Sequence, residues 1–187
     1  MATVGLRDLY FATVTEAAET GIETFGSPTR LAKLVSAKMV TTRADGSLVA
    51  DDAIDQQVSE FASCKLTLEV NDLKDEDTAT LLGAELDATS KVVYSGLDDD
   101  PPYVAIGFRA KKPGGKFRYV WLYKGKFAMP SEEFATGGEK VEFKTPTIEG
   151  TFQTLSKNGK WKADMTALPT DTVAAAWFTT VQDKAAI

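Results

Sequence analysis

Three consecutive carboxylates, Asp98, Asp99 and Asp100, could together hold a metal ion. Clustered carboxylate oxygens suit hard divalent cations such as Mg²⁺ and Ca²⁺. Adjacent side chains point in different directions, however, and no EF-hand spacing with a glutamate at its twelfth position surrounds them. The pattern therefore predicts an exposed turn and no metal site, with a carboxylate-based, metal-dependent enzyme as the alternative.

Residues 112–116, with the sequence KPGGK, have the glycine and lysine content of a phosphate-binding loop. A Walker motif needs a glycine five positions before Gly115 and a serine or threonine after Lys116. Those positions hold Ala110 and Phe117. The segment is therefore predicted to be a turn between two strands and not a nucleotide site.

The sequence contains no histidine and one cysteine, Cys64. Nucleophile pairs of the Ser-His or Cys-His kind are thereby excluded, and so are the usual zinc sites. Cys64 is predicted to be an inert, buried thiol, because nothing near it in sequence would lower its pKa. These absences leave chemistry by carboxylates alone open, and no cofactor is expected.

Four aromatic residues occupy every second position of a predicted strand, so that their side chains share one face. Such a stripe could stack nucleobases, and an oligonucleotide- or ligand-binding β-sandwich module is therefore the alternative function. The other interpretation is that the stripe is core, and a net charge of −6 with a pI of about 4.8 argues against a surface that grips phosphates. The aromatic residues are Phe117, Tyr119, Trp121 and Tyr123, and the cations nearby are Arg109, Arg118, Lys124 and Lys126.

Residues 101–130 contain this strand and are predicted to form one long β-hairpin. Apolar residues recur with a period of two in both arms, which is typical of strands. Proline and two glycines at 113–115 supply the turn. In the first arm Val104, Ile106 and Phe108 share a face, and in the second arm Arg118, Val120, Leu122 and Lys124 oppose the aromatic stripe.

The rest of the chain is predicted to be mostly strands. A helix over 29–37 competes with the second strand, but the β-branched run after Met39 favours the strand. Asn158-Gly159 predicts a tight turn that makes 160–167 a return strand. The predicted strands are residues 6–15, 29–43, 61–70, 91–94, 141–144, 147–155 and 160–167, with a loop at 131–139.

One or two short helices accompany these strands. Residues 71–83 are predicted to be helical, with Asp72 as N-cap and Gly83 as the stop, and a last short helix is expected to end near Phe178. The chain, 1–187, is therefore predicted to be a single, mainly β domain of the sandwich or partial-barrel type. No apolar run approaches the ~20 residues of a membrane span, and no secretory signal is expected.

Residues 44–60 are predicted to be a long inter-strand loop. Asp45-Gly46 is a turn signal, and the segment is acidic with a few isolated apolar residues. A connection of about sixteen residues is either a solvated tip or a functional surface, and the apolar residues favour a contact between subunits. The predicted contact residues are Asp45, Gly46, Leu48, Val49, Asp51, Asp52 and Ile54.

Taken together, the segments resemble the major tail proteins, or tail tube proteins, of long, non-contractile-tailed phages of Gram-positive hosts. The resemblance extends over nearly the whole chain in order and spacing. The segments that carry it are VGLRDLYFATVTE, SPTRLAKLVSA, VADDAID, PPYVAIGFRAKKPGGKFRYVWLYKGKFAMPSEEF and KTPTIEGTF with WKADMTALPTDTVAAAWFT.

The resemblance implies a non-catalytic virion protein that forms rings of six subunits, stacked into a tube through which the genome passes. It implies a β-sandwich with a flanking helix. The expected partners are copies of the chain itself, the tape-measure and tail-terminator proteins, and phage DNA in transit only, with no membrane anchor. The expected location is the phage tail, after assembly in the host cytoplasm.

Overall fold

The computed structural model describes residues 3–50, 53–130 and 145–184. The predictions for 131–139 and 141–144 lie outside these residues. The strands are β1 Gly5–Glu16, β2 Glu23–Phe25, β3 Thr29–Arg30, β4 Leu34–Ala50, β5 Ala53–Val70, β6 Glu85–Leu86, β7 Val93–Tyr94, β8 Val104–Lys111, β9 Phe117–Phe127, β10 Thr147–Gln153 and β11 Lys162–Ala167. The helices are α1 Asp75–Leu82 and α2 Thr172–Ala175.

Nine of these strands form one antiparallel sheet in the order β2-β1-β8-β9-β10-β5-β4, with β3 on β1 and β11 on β9. The two ends of the sheet approach each other, because β3 pairs with β1 and the chain then continues directly into β4. The Leu31 N–H donates to the Leu9 carbonyl, 3.0 Å away, at this junction. The fold is a partial barrel with two short helices, which confirms the predicted fold class.

The predicted central hairpin is confirmed as β8 and β9, which pair from Lys111 and Phe117 onwards. Gly114 and Gly115 in its turn have φ of 78° and 75°, a conformation that glycine adopts without strain. Both faces of the hairpin are buried. One face belongs to a core cluster inside the barrel and the other to a second cluster, so the hairpin is a wall shared by two cores.

An irregularity in β9 changes which face its side chains occupy. Val104 pairs with Gly125 while Ile106 pairs with Leu122, so β9 has one residue more than β8 in this stretch. Such a β-bulge reverses the alternation of side chains beyond it. Phe127 therefore joins the barrel core. Strict alternation predicts Lys124 on the same face as Leu122, and the bulge makes that prediction wrong.

Strand β11 is not a return strand on β10, and that prediction is wrong. β10 pairs with β9 at residues 124–127, and β11 pairs with β9 at residues 117–122. Both are antiparallel to β9 and follow the same edge, so the chain loops out at 154–161 and resumes in its original direction. The reason is that β9 is longer than β10 and leaves a free edge for β11.

Helix α1 confirms one predicted boundary and corrects the other. Gly83 ends the helix with φ 70°, and its N–H donates to Ala79. A Cβ at this position would lie 2.3 Å from the Asp100 carbonyl oxygen, which requires glycine. The predicted N-cap Asp72 is wrong, because the helix begins after Lys74 without any side-chain cap. In 29–43 the strand prediction is confirmed over the helical alternative.

Candidate assembly surface

The predicted long loop at 44–60 is wrong, because this segment is the outer half of a continuous β-hairpin. Strands β4 and β5 pair from Leu34 and Val70 at one end to Ala50 and Ala53 at the other. Register shifts at Thr42/Arg43 and at Leu48/Val49 interrupt the ladder without ending it. We call the residues 41–50 and 53–60 of this hairpin the distal arm.

The predicted contact residues are thereby placed on strands of the distal arm. Asp45 pairs with Ser59 and Gly46 with Val58, so Asp45-Gly46 is not a turn. The chain reverses between Ala50 and Ala53 instead. The backbones of Leu48 and Val49 pair with Gln56 and Ile54, and Asp51 and Asp52 lie outside the described residues.

The distal arm is exposed on both faces. The described side chains at 41–47 and 57–60 are all exposed, including Val58 at 54%, and Val40, just before the arm, is 49% exposed. Nine residues of strand extend the arm by roughly 30 Å. The inner half of β5 is anchored in the barrel core through Cys64, Leu66 and Leu68. An isolated two-stranded ribbon is marginally stable in water, so packing against another surface would stabilise the arm.

The outer edge of β4 is also open. β4 ends the hydrogen-bonded strand order, and within the described part of the chain no further strand pairs with its outer edge. A long strand with unpaired N–H and C=O groups is a template for pairing with another chain. The arm therefore offers apolar side chains and a free edge together.

The distal arm is strongly acidic. Residues 44–60, which include the two residues between the strands of the arm, contain five carboxylates and no lysine or arginine, and Arg43 is the one cation of the arm. Among the described side chains of the arm there is no ion pair, and the cross-strand side-chain bond joins the Arg43 guanidinium to the Ser59 hydroxyl at 3.5 Å. A partner for this arm must therefore tolerate or supply compensating positive charge.

The aromatic stripe of β9 is core, which confirms the interpretation that the net charge favoured over a base-stacking surface. Tyr119, Trp121 and Tyr123 are at most 3% exposed. The segment after β11 covers them: the Trp121 indole N–H donates to the Trp177 carbonyl at 2.9 Å, and the ring of Phe178 lies 5.9 Å from that of Trp121. No aromatic surface for nucleobases remains on this face of the described strands.

The Asp98–Asp100 run forms a turn, as predicted. The Asp99 carboxylate accepts a hydrogen bond from the Gly96 N–H at 2.8 Å, and Asp100 pairs with Lys126 at 2.6 Å. Among the residues that the structure describes, no group of three possible metal ligands converges. The Cys64 thiol is fully buried as predicted, and its burial raises its pKa above the ordinary range.

Comparison with known proteins does not assign the chain to a family. No protein-family model matches the chain, and a search of curated proteins finds no match either. Across the described residues, no helix is long and apolar enough to cross a membrane. The fold and the exposed arm are thus the observations on which a functional proposal rests.

Proposed function

We propose that this chain is a structural subunit of a phage tail tube, which assembles with copies of itself into stacked hexameric rings around the path of the genome. The observation that carries the proposal is the distal arm, an acidic ribbon whose described side chains are exposed and whose strands continue into the barrel core. The sequence resemblance supplies the hexamer, the tube, the tape-measure and tail-terminator partners and the virion location.

Self-association would satisfy the exposed groups of the arm. Pairing of the open β4 edge with another chain would satisfy its free N–H and C=O groups, and burial of Val40 and Val58 would remove apolar area from water. A contact between two different surfaces of identical subunits leaves one of each surface free at the ends of the assembly. Unless such contacts close into a ring, they repeat without limit and produce a filament. The arm thus provides the kind of contact that a tube requires.

The charge of the chain is compatible with DNA that passes without being held. A chain with a net charge of −6 offers little counterion-release affinity for a duplex. We propose that the lumen surface is acidic, so that DNA slides by repulsion. A map of the assembled tube in which the lumen-facing side chains are net basic would contradict this part of the proposal.

The direct test is negative-stain electron microscopy of the purified protein over a range of concentrations, combined with sedimentation velocity. The proposal expects rings or tubes of uniform diameter. A chain that stays monomeric at the highest soluble concentration, and that is absent from phage particles, would contradict it.

A deletion localises the effect to the arm. Removal of residues 46–55 leaves Asp45 opposite Ser59 with three residues between them, a length that still closes a hairpin. We expect a folded monomer that does not polymerise. Leu97→Ser, which removes a fully exposed apolar side chain elsewhere, is the control and should assemble normally. Normal tubes from the deletion variant would exclude the arm from assembly.

A further inference from the structure

A cationic pocket lies at the foot of β4, where the two ends of the sheet approach each other. Its volume is about 340 Å³. In a chain with a net negative charge, four of the seven lining residues are arginine or lysine and one is aspartate. The lining residues are Leu6, Arg7, Asp8, Arg30, Lys33, Leu34 and Arg109.

A β-bulge in β1 builds the floor of this pocket. The register on β8 shifts between Arg7 and Tyr10, and Asp8 within the bulge has φ 56°, which is uncommon for a residue with a side chain. The Asp8 carboxylate lies 2.5 Å from Nε of Arg109 and 3.6 Å from a terminal nitrogen of Arg30. One carboxylate therefore orients two guanidinium groups and leaves one of their two positive charges uncompensated.

Two cations at the rim of the pocket form no ion pair with any residue that the structure describes. Arg7 and Lys33 are exposed, and among the described residues neither side chain has an acidic partner. Arg109 is held in place from the other side by the Phe117 ring, 4.6 Å from its guanidinium carbon. The pocket thus has a net charge of +3. Its floor is held by the Asp8 ion pairs, and Arg7 and Lys33 are available to bind an anion.

The acidic arm of the same molecule cannot reach this pocket. Leu34 lines the pocket and begins β4, whereas the far end of β4 is Ala50. Sixteen residues of strand place the two ends of β4 roughly 50 Å apart. The positive pocket at one end of the hairpin and the negative arm at the other can therefore contact each other only when they belong to two different molecules.

We propose that this pocket binds the carboxylates of the acidic arm of a second copy of the chain. The inference rests on the proposed function and names the surface that receives the arm. Because donor and acceptor surfaces lie at opposite ends of one hairpin, the contact is head to tail and propagates from copy to copy. The pocket selects the partner by charge, and the apolar residues and edge of the arm add affinity.

The test uses charge reversal on each side of the contact. The pocket variant carries Arg7→Glu and Lys33→Glu, which change the charge of the pocket from three positive to one negative. The arm variant carries Asp45→Lys, Asp55→Lys and Glu60→Lys, which change residues 44–60 from five negative to one positive. We expect each variant alone to need a roughly tenfold higher concentration to assemble, because like charges then face each other. A one-to-one mixture should assemble like the wild type, since each arm then meets a pocket of opposite charge.

The matched control carries Lys160→Glu and Lys184→Glu, two exposed lysines outside the pocket, and has the same net charge as the pocket variant. Circular dichroism and thermal melts check that all variants fold. Normal assembly of the folded pocket variant, or a mixture that assembles no better than its components, would overturn the inference and leave the proposed function standing. Failure of the wild type itself to assemble would overturn both.

Nucleic acid phosphate is the competing ligand, and a short DNA duplex is the probe for it. If the wild type binds the duplex at low salt and the pocket variant loses that binding but assembles normally, the pocket serves DNA and the inference is wrong. If the wild type and the pocket variant bind the duplex equally, and the mixture of pocket and arm variants restores assembly, the pocket binds the arm.

Discussion

Lys124 on β9 and Glu23 on β2 form an ion pair of 3.1 Å in which both side chains are almost completely shielded from water. Glu16 pairs with the same ammonium group at 2.8 Å. The Glu23 carboxylate also accepts hydrogen bonds from the N–H groups of Ser156 and Lys157, at 2.6 and 3.2 Å. The pair thus joins β2, β9 and the loop that follows β10. The bulge at Gly125 is what brings Lys124 to this side of the sheet.

Lys124→Ala should strongly destabilise the protein, because it leaves Glu23 buried without its counter-charge. Loss of one partner from a buried ion pair costs about 3 kcal/mol of the free energy of unfolding. Lys126→Ala is the matched control two residues away, and its half-exposed pair with Asp100 predicts a loss of about 0–1 kcal/mol. Denaturant unfolding followed by tryptophan fluorescence measures both. Equal losses of unfolding free energy in the two variants would mean that burial does not make the Lys124–Glu23 pair more important for stability than the exposed pair.

Acid should destabilise the protein partly through Glu23. Burial alone would raise the pKa of Glu23, but the Ser156 N–H, the Lys124 ammonium and the Lys157 N–H together lower it from 4.5 to about 2. The folded state therefore binds this proton less readily than the unfolded state. The resulting stability is complete above pH 4.5 and is lost as the pH falls from 4.5 towards 2.

Glu23→Gln tests this assignment. The variant should be less stable at neutral pH, and its free energy of unfolding should fall less steeply than that of the wild type between pH 4.5 and 2. Urea unfolding at several pH values provides the measurement, with Glu19→Gln at an exposed position as the control. Parallel pH profiles for wild type and Glu23→Gln would show that other carboxylates carry the acid sensitivity.

Gly107→Ala should destabilise the central hairpin. Gly107 pairs with Trp121, and a Cβ on Gly107 would lie 2.8 Å from three atoms of the indole ring. Because Trp121 is fully buried, the ring has little room to move, and overpacking of this kind costs about 1–3 kcal/mol. Gly46→Ala, where a Cβ meets no atom within 4 Å, should change stability by less than about 0.5 kcal/mol. Thermal melts compare the two variants, and a stable Gly107→Ala protein would contradict the packing argument.

Removal of Trp177 should uncover the second core cluster. Its side chain is 3% exposed and closes over Tyr119, with the two ring centroids 5.8 Å apart. Trp177→Ala should cost about 3–5 kcal/mol. Trp177→Phe should cost less, because the Trp177 indole N–H is buried without a hydrogen-bond partner among the described residues and its removal relieves that penalty.

Val173→Ala serves as the control for Trp177, because its side chain is 53% exposed on the same C-terminal segment. We expect a change of less than about 0.5 kcal/mol for this control. Binding of a hydrophobic dye reports exposure of the aromatic stripe, and should rise for Trp177→Ala alone. A Trp177→Ala protein as stable as the control would mean that the segment does not close the cluster.

Local patterns were enough to predict the elements whose faces are buried by their immediate neighbours. The alternation in β8 and β9, the Pro-Gly-Gly turn between them and the stop at Gly83 were all visible in the sequence, since each depends on the conformational preference of a few residues. The predicted contact residues that the structure describes lie on a projecting ribbon, and their role in contacts stays a prediction. Their conformation was not predicted, because a ribbon exposed on both faces shows no alternation of apolar and polar residues.

The sequence by itself determined a mainly β chain around one central hairpin. Only the tertiary structure decided that both faces of this hairpin are buried, that β11 continues along β9, and that Lys124 lies opposite Glu23. Gly125 was the one local signal for that last change, since an isolated glycine within a strand marks a bulge or a close approach. The cationic pocket was equally invisible, because Arg7, Lys33 and Arg109 meet only when the sheet curls and its ends approach. Pairing between distant strands depends on which edges remain free after the others have paired, and no short stretch of sequence contains that information.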